Sequence, residues 1–164
     1  MLNKQMKWAI LSATAFGTLI LVSTAPLGAQ EQPDDESLAP TITELGTLPP
    51  RELSEGQCGL FLWADVSNPR LVFSSERNGS AQMIINGEEV TLARNAAEGR
   101  QYFGQFESQH FYSPNLNISL NMVIEQRPAM PDGAVVPSGT LRMIENSGWE
   151  TVMPIGGVIG CVGS

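Results

Sequence analysis

Two cysteines, Cys58 and Cys161, bracket a run of strand-like sequence and constrain this chain more than any other feature. A pair with no third competitor is expected to join wherever the compartment is oxidising. Closing a loop of about one hundred residues contributes up to roughly 4.7 kcal/mol in the chain-entropy model. The bond also sets a topological condition, because the two Cα atoms must come within about 7 Å. In an up-and-down sheet the first and last strands meet when the sheet closes, which favours a closed barrel over an open sheet. The competing readings of the thiols are weaker: they lie far apart, the chain has one histidine for a zinc site, and it has no Cys-x-x-Cys.

Strand signals fill the segment between the cysteines. In residues 115–126, Leu116, Ile118, Leu120, Met122 and Ile124 alternate with Asn117, Ser119, Asn121, Val123 and Glu125, the period of a half-buried strand. Residues 80–85 and 88–94 flank Asn86-Gly87, the pair best suited to a type I′ hairpin because both tolerate positive φ. That turn predicts Met83 opposite Val90 and Ala81 opposite Leu92 on the core face, with Ile84 opposite Glu89 on the other. Further strands are read at 59–64, 71–75, 101–106, 109–112, 140–145 and 149–154. Turns are read at Asn68-Pro69, Asn78-Gly79, Ser113-Pro114-Asn115, Pro131-Asp132-Gly133 and Asn146-Ser147-Gly148. The glycine-rich run 156–161 fits either a last strand with close backbone approach or a loop into the bridge. Residues 93–99 allow one helical turn. The expectation is an all-β domain over 58–164, an antiparallel β-barrel or sandwich of about seven to eight strands closed by one disulfide.

Upstream, Lys4 and Lys7 precede an uncharged stretch over 8–22 and small residues ending at Gly28-Ala29. Residues 1–29 therefore read as a signal peptide whose helix is removed on export, placing the rest in the periplasm or outside the cell. Left uncut, residues 8–29 are just long enough to span a bilayer as an anchor, which would bring the chain into membrane contact. Residues 30–57 turn to Pro, Glu, Asp, Ser and Thr, the composition of an acidic flexible linker. A stretch such as 41–48 offers the alternative of docking on the domain as an edge strand.

Both lysines fall in the signal, and the remainder sets seven arginines against seventeen acidic residues. Arg51, Arg70, Arg77, Arg94, Arg100, Arg127 and Arg142 are scattered along the chain, so nucleic acid is disfavoured as a partner. The acidic balance fits plain solubility, or a basic protein partner such as lysozyme.

Chemistry is sparse. A hydrolase triad needs a base, and His110 is the one histidine, set in a strand beside aromatics with no Gly-x-Ser-x-Gly elbow. The carboxylates that could make a glycosidase pair sit mostly at turns and polar strand positions. Phosphate-cradle motifs are missing, and Asp132-Gly133 is too short for a calcium loop. No cofactor or metal is expected. Aromatic residues remain as binding material: Trp63, Tyr102, Phe103, Phe106, Phe111, Tyr112 and Trp149. Tyr102 and Phe103 must point to opposite faces, as must Phe111 and Tyr112, so one of each pair leaves the main core face.

One stretch resembles a known family. A strand and turn over Ala81-Gln82-Met83-Ile84-Ile85-Asn86-Gly87 is followed by the returning Val90-Thr91-Leu92. A loop at Ala96-Ala97-Glu98-Gly99 then leads to Tyr102. This resembles part of the MliC/PliC family of periplasmic C-type lysozyme inhibitors, whose Ser-Gly-x-x-Tyr loop enters the enzyme's active site. The chain has Glu98 in place of that serine and lacks the family's second motif, a tyrosine followed by Lys-Gly. The resemblance implies a secreted inhibitor that uses Ala97, Glu98, Gly99 and Tyr102 as its contact loop. Three functions thus stay open: an exported non-enzymatic binding or structural module of the cell envelope, an inhibitor of C-type lysozyme, and a small envelope hydrolase.

Overall fold

The computed structural model describes residue 42, residues 44–64 and residues 67–163, all within the compact unit Ser37–Ser164. The expected signal or anchor, and the linker as far as residue 41, lie outside the described residues. Eight strands follow one another: β1 (Cys58–Ala64), β2 (Arg70–Glu76), β3 (Ser80–Ile85), β4 (Glu88–Tyr102), β5 (Gln105–Ser113), β6 (Leu116–Glu125), β7 (Gly133–Glu145) and β8 (Glu150–Cys161). Each pairs antiparallel with the next and β1 pairs with β8, so the choice between barrel and sandwich resolves to one closed barrel. Cys58 stands opposite Cys161 in the β1–β8 register, and the two are joined with their Cα atoms 4.1 Å apart. The glycine run belongs to β8, and a Cβ on Gly157 would run into the carbonyl of Phe61.

The interior is filled rather than hollow. Leu60, Leu62, Phe73, Met83, Leu92, Phe111, Leu120, Leu141 and Ile159 are all buried, and the rings of Phe73 and Phe111 meet edge to face at 5.2 Å. Each such side chain contributes about 1.5–3 kcal/mol by leaving water. On β6 the five alternating apolar residues are buried, as the period-two pattern predicts. The hairpin register of Met83 with Val90 and Ala81 with Leu92 is also as expected, with Asn86 at φ 52° and Gly87 at φ 81°.

Four elements differ from expectation. Residues 93–99 make no helical turn; they continue β4, which irregularities between Arg94 and Ala96 and between Glu98 and Gln101 bend without ending. The strand expected over 101–106 is broken by a turn at Phe103 (φ 53°) and Gly104 (φ 88°), a reversal that an aromatic residue conceals. Strands β7 and β8 are longer than read, and each carries a proline where the ladder tolerates it. Pro137 sits in a bulge between Val136 and Gly139, and Pro154 lies just before the first residue of β8 that pairs with β1.

The stretch expected as the end of a flexible linker packs on the barrel. Strands β2 and β3 pair at Ser74–Gln82 and Ser75–Ala81 and then part. Residues 44–48 enter that gap as a strap. Leu45 bridges Ile85, the Gly46 amide donates to the Ile84 carbonyl at 2.8 Å, and the Leu48 amide donates to the Leu71 carbonyl at 2.7 Å. The Asn86 amide donates to the Glu44 carbonyl, and Arg70 Nη1 reaches the Leu45 carbonyl. Leu48 is 3% exposed, so the strap contributes burial as well as hydrogen bonds.

Candidate functional site

Ala97, Glu98, Gly99 and Tyr102 lie along β4 and form no projecting loop. Glu98 pairs with Ser108 and Gln101 with Phe106, which leaves Gly99 and Arg100 facing the single residue Glu107. Gly99 takes φ 84°, and a Cβ there would stand 2.9 Å from Glu107 Oε2. The bulge is pinned by that carboxylate. It accepts from the Arg100 amide at 3.1 Å and from Arg100 Nε at 3.0 Å, so its pKa lies below the ordinary carboxylate value. The amide bond is the largest cause of this lowering; desolvation opposes it, and the guanidinium's own bond and charge add smaller lowering contributions. The Arg100 guanidinium also lies 5.6 Å from the Tyr102 ring centre.

These four residues do not share one surface. Ala97 pairs with the buried Gln109 and so faces inward, whereas Glu98 is exposed on the outer wall and Tyr102 packs partly against the core. The bulge therefore presents Glu98 and Gly99 to solvent, with Arg100 beside them.

His110 is also on the outer wall. Its Nδ1 lies 3.0 Å from Ser119 Oγ, the residue directly across on β6, and Ser119 is in turn opposite Arg142, which pairs with Glu150 at 2.6 Å. Strands β5, β6 and β7 are paired through this stretch, so the backbone amides around Ser119 are used in the ladder. Of the aromatic pairs, Phe111 is buried and Tyr112 is 49% exposed, as opposite faces require; Trp149, at 68%, is the most exposed large apolar side chain described.

Two features had no clear signal in the sequence. The first is a polar cluster at one end of the interior. Arg94 Nη1 donates to Gln109 Oε1 at 2.8 Å and to the Gly104 carbonyl at 2.9 Å, while Ser75 Oγ donates to Gln105 Oε1 at 3.1 Å. Gln105 and Gln109 are fully buried, and burial lowers the Arg94 pKa. The guanidinium lies 5.2 Å from the Phe106 ring centre, a cation–π distance. Alternation at Gln105, Glu107, Gln109 and Phe111 was the available hint.

The second is a cavity of about 550 Å³ at the barrel end formed by the β3–β4, β5–β6 and β7–β8 turns. Ile42, Ile85, Val90 and Leu116 give it an apolar floor, and Glu88, Glu89 and Glu145 bring carboxylates to its lining. Its size falls within the roughly 300–1,000 Å³ of ligand sites. Sequence reading missed it because its walls come from three separate turns and from the chain just before the strap. Among the described residues, no group of three or more His, Cys, Asp or Glu is placed to hold a metal ion.

No protein-family model, curated protein or solved structure matches this chain. Candidate sites therefore rest on geometry and charge.

Proposed function

We propose that this chain is a non-catalytic binding module that works outside the cytoplasm and takes a basic partner at the acidic mouth of its barrel. The observation that carries the reading is the 550 Å³ cavity in which apolar Ile42, Ile85, Val90 and Leu116 lie beside Glu88, Glu89 and Glu145. An apolar floor with carboxylates around it suits the stem and charged head of a lysine or arginine side chain. The net charge of −8 favours encounter with such a partner. The Cys58–Cys161 bond supports an oxidising compartment. The Ser119–His110 contact supports binding over hydrolysis, since it stands on a strand wall whose backbone amides are engaged in the ladder.

The test is calorimetric titration of the disulfide-bonded protein with a Lys/Arg-rich peptide and with a C-type lysozyme. Binding that weakens with salt, and drops tenfold or more in a Glu88→Gln, Glu89→Gln, Glu145→Gln variant, supports the mouth as the site. If lysozyme binds and inhibition instead depends on Glu98 and Tyr102, the inhibitor reading with its contact at the β4 bulge replaces it. Absence of binding to either probe at millimolar concentration overturns the basic-partner assignment.

A further inference from the structure

The two sides of the acidic mouth are held in different ways. On one side the β5–β6 and β7–β8 turns are bonded to each other. Asn146 Nδ2 donates to the Pro114 carbonyl at 2.9 Å, and the Asn146 amide donates to the Asn115 carbonyl at 3.4 Å. On the other side the β3–β4 turn is tied to the strap. The Asn86 amide donates to the Glu44 carbonyl at 2.9 Å, and the Glu44 amide donates to Asn86 Oδ1 at 3.0 Å.

The strap therefore serves the mouth twice. Ile42, two residues ahead of it, supplies part of the apolar floor. The reciprocal bonds at Asn86 fix the turn from which Glu88 and Glu89 enter the lining. Strands β2 and β3 have parted before this point, so the strap stands where a neighbouring strand would hold the end of β3. Its closest approach is Gly46, where a Cβ would run into the Ile84 side chain. Gly46 and Leu48 are both outside the lining of the cavity, so a change at either reaches the mouth only through the seating of the strap.

We propose that strap docking and partner binding are linked: the mouth accepts a basic side chain only while the strap is seated, and the bound partner holds the strap down. The inference rests on the mouth being the partner site and adds how that site is controlled. Linkage is reciprocal, so whatever lifts the strap empties the mouth. A cut within residues 44–48 thus releases the partner while Glu88, Glu89 and Glu145 stay on the barrel.

The experiment is hydrogen exchange at the Leu48 amide, which donates to the Leu71 carbonyl. It is followed in the disulfide-bonded full chain with and without a Lys/Arg-rich peptide whose Kd is first set by calorimetry. If the peptide binds only the docked form, strap opening is suppressed by 1 + [peptide]/Kd, and Leu48 exchange slows about a hundredfold at about 100 times Kd. Gly46→Ala presses the strap off Ile84 and should let Leu48 exchange faster than Leu120, which separates strap opening from global unfolding. The peptide should slow Leu48 exchange in that variant too. Peptide that binds Gly46→Ala and leaves Leu48 exchange unchanged overturns the linkage while the mouth stands as the site. Leu48 exchange as slow as that of Leu120 in Gly46→Ala means strap and barrel open as one, and that also overturns it. A peptide that does not bind the unaltered protein overturns both readings.

Discussion

Leu45 and Ile85 face each other as an isolated antiparallel bridge in the gap where β2 and β3 have parted. Without the strap, the ends of both strands would expose unpaired backbone groups, an edge of the kind that invites foreign strands. Residues 44–48 thus act as a short surrogate strand, held by their own backbone bonds on both sides and by the burial of Leu48.

Replacing Leu48 by Ala should cost about 2 kcal/mol, the low end for a buried leucine, because the site lies at the edge of the barrel. The amide of Asn86, which donates to the Glu44 carbonyl, should exchange hydrogen faster, while that of Leu120 keeps its protection in proportion to global stability. Unchanged protection at Asn86 would mean the strap is not a cooperative part of the fold.

Removing the disulfide by Cys58→Ser with Cys161→Ser should lower stability by about 2–4 kcal/mol in urea titration. The barrel should survive, because β1 and β8 remain paired from Cys58–Cys161 to Ala64–Ile155. A loss near zero would show that backbone pairing sets closure without help from the covalent bond.

At the β4 bulge, Gly99→Ala faces two penalties, a positive φ and crowding against Glu107. About 1–2 kcal/mol is expected by thermal or urea unfolding. Adding Glu107→Ala should recover the crowding from the carboxylate but neither the contact with the residue's Cβ at 3.0 Å nor the backbone part, and full additivity of the two changes would contradict the carboxylate contact.

Acid should weaken two surface ion pairs. Glu107 and Glu150 both have pKa values lowered below the ordinary 4.5, by the backbone and side-chain bonds from Arg100 and by the side-chain bond from Arg142 respectively. A folded-state pKa below the unfolded one means the folded state favours the ionised carboxylate. The contribution is therefore complete above the unfolded value and fades as pH falls through the lowered one. Melting temperature should hold down to about pH 4.5 and then fall, with a shallower fall in Glu107→Gln and in high salt. An acid profile indifferent to Glu107→Gln and Glu150→Gln would refute this assignment.

Local rules made much of the barrel readable in advance. The alternation along 116–124 needs only that neighbours in a strand point to opposite faces, and Asn86-Gly87 needs only that two adjacent residues accept positive φ. The cysteine pair carried closure, because a covalent bond between chain positions 103 apart is a long-range contact written in residue type. The reading failed where a local signal was ambiguous. Gly99 resembled the end of an element but serves a bulge inside β4, and Phe103 concealed a turn that Gly104 permits.

The remaining features arise from residues that are distant in the chain and carry no mark of their meeting. The Leu45–Ile85 bridge, the Ser119–His110 contact on the outer wall, the Arg94–Gln109 cluster and the acidic mouth all depend on how strands stack around the barrel. Side-chain alternation assigns each residue a face, but the partner on that face is set by register across several strands. Register is a property of the closed sheet as a whole, so strand identity could be read along the chain while the sites became visible only once the barrel had closed.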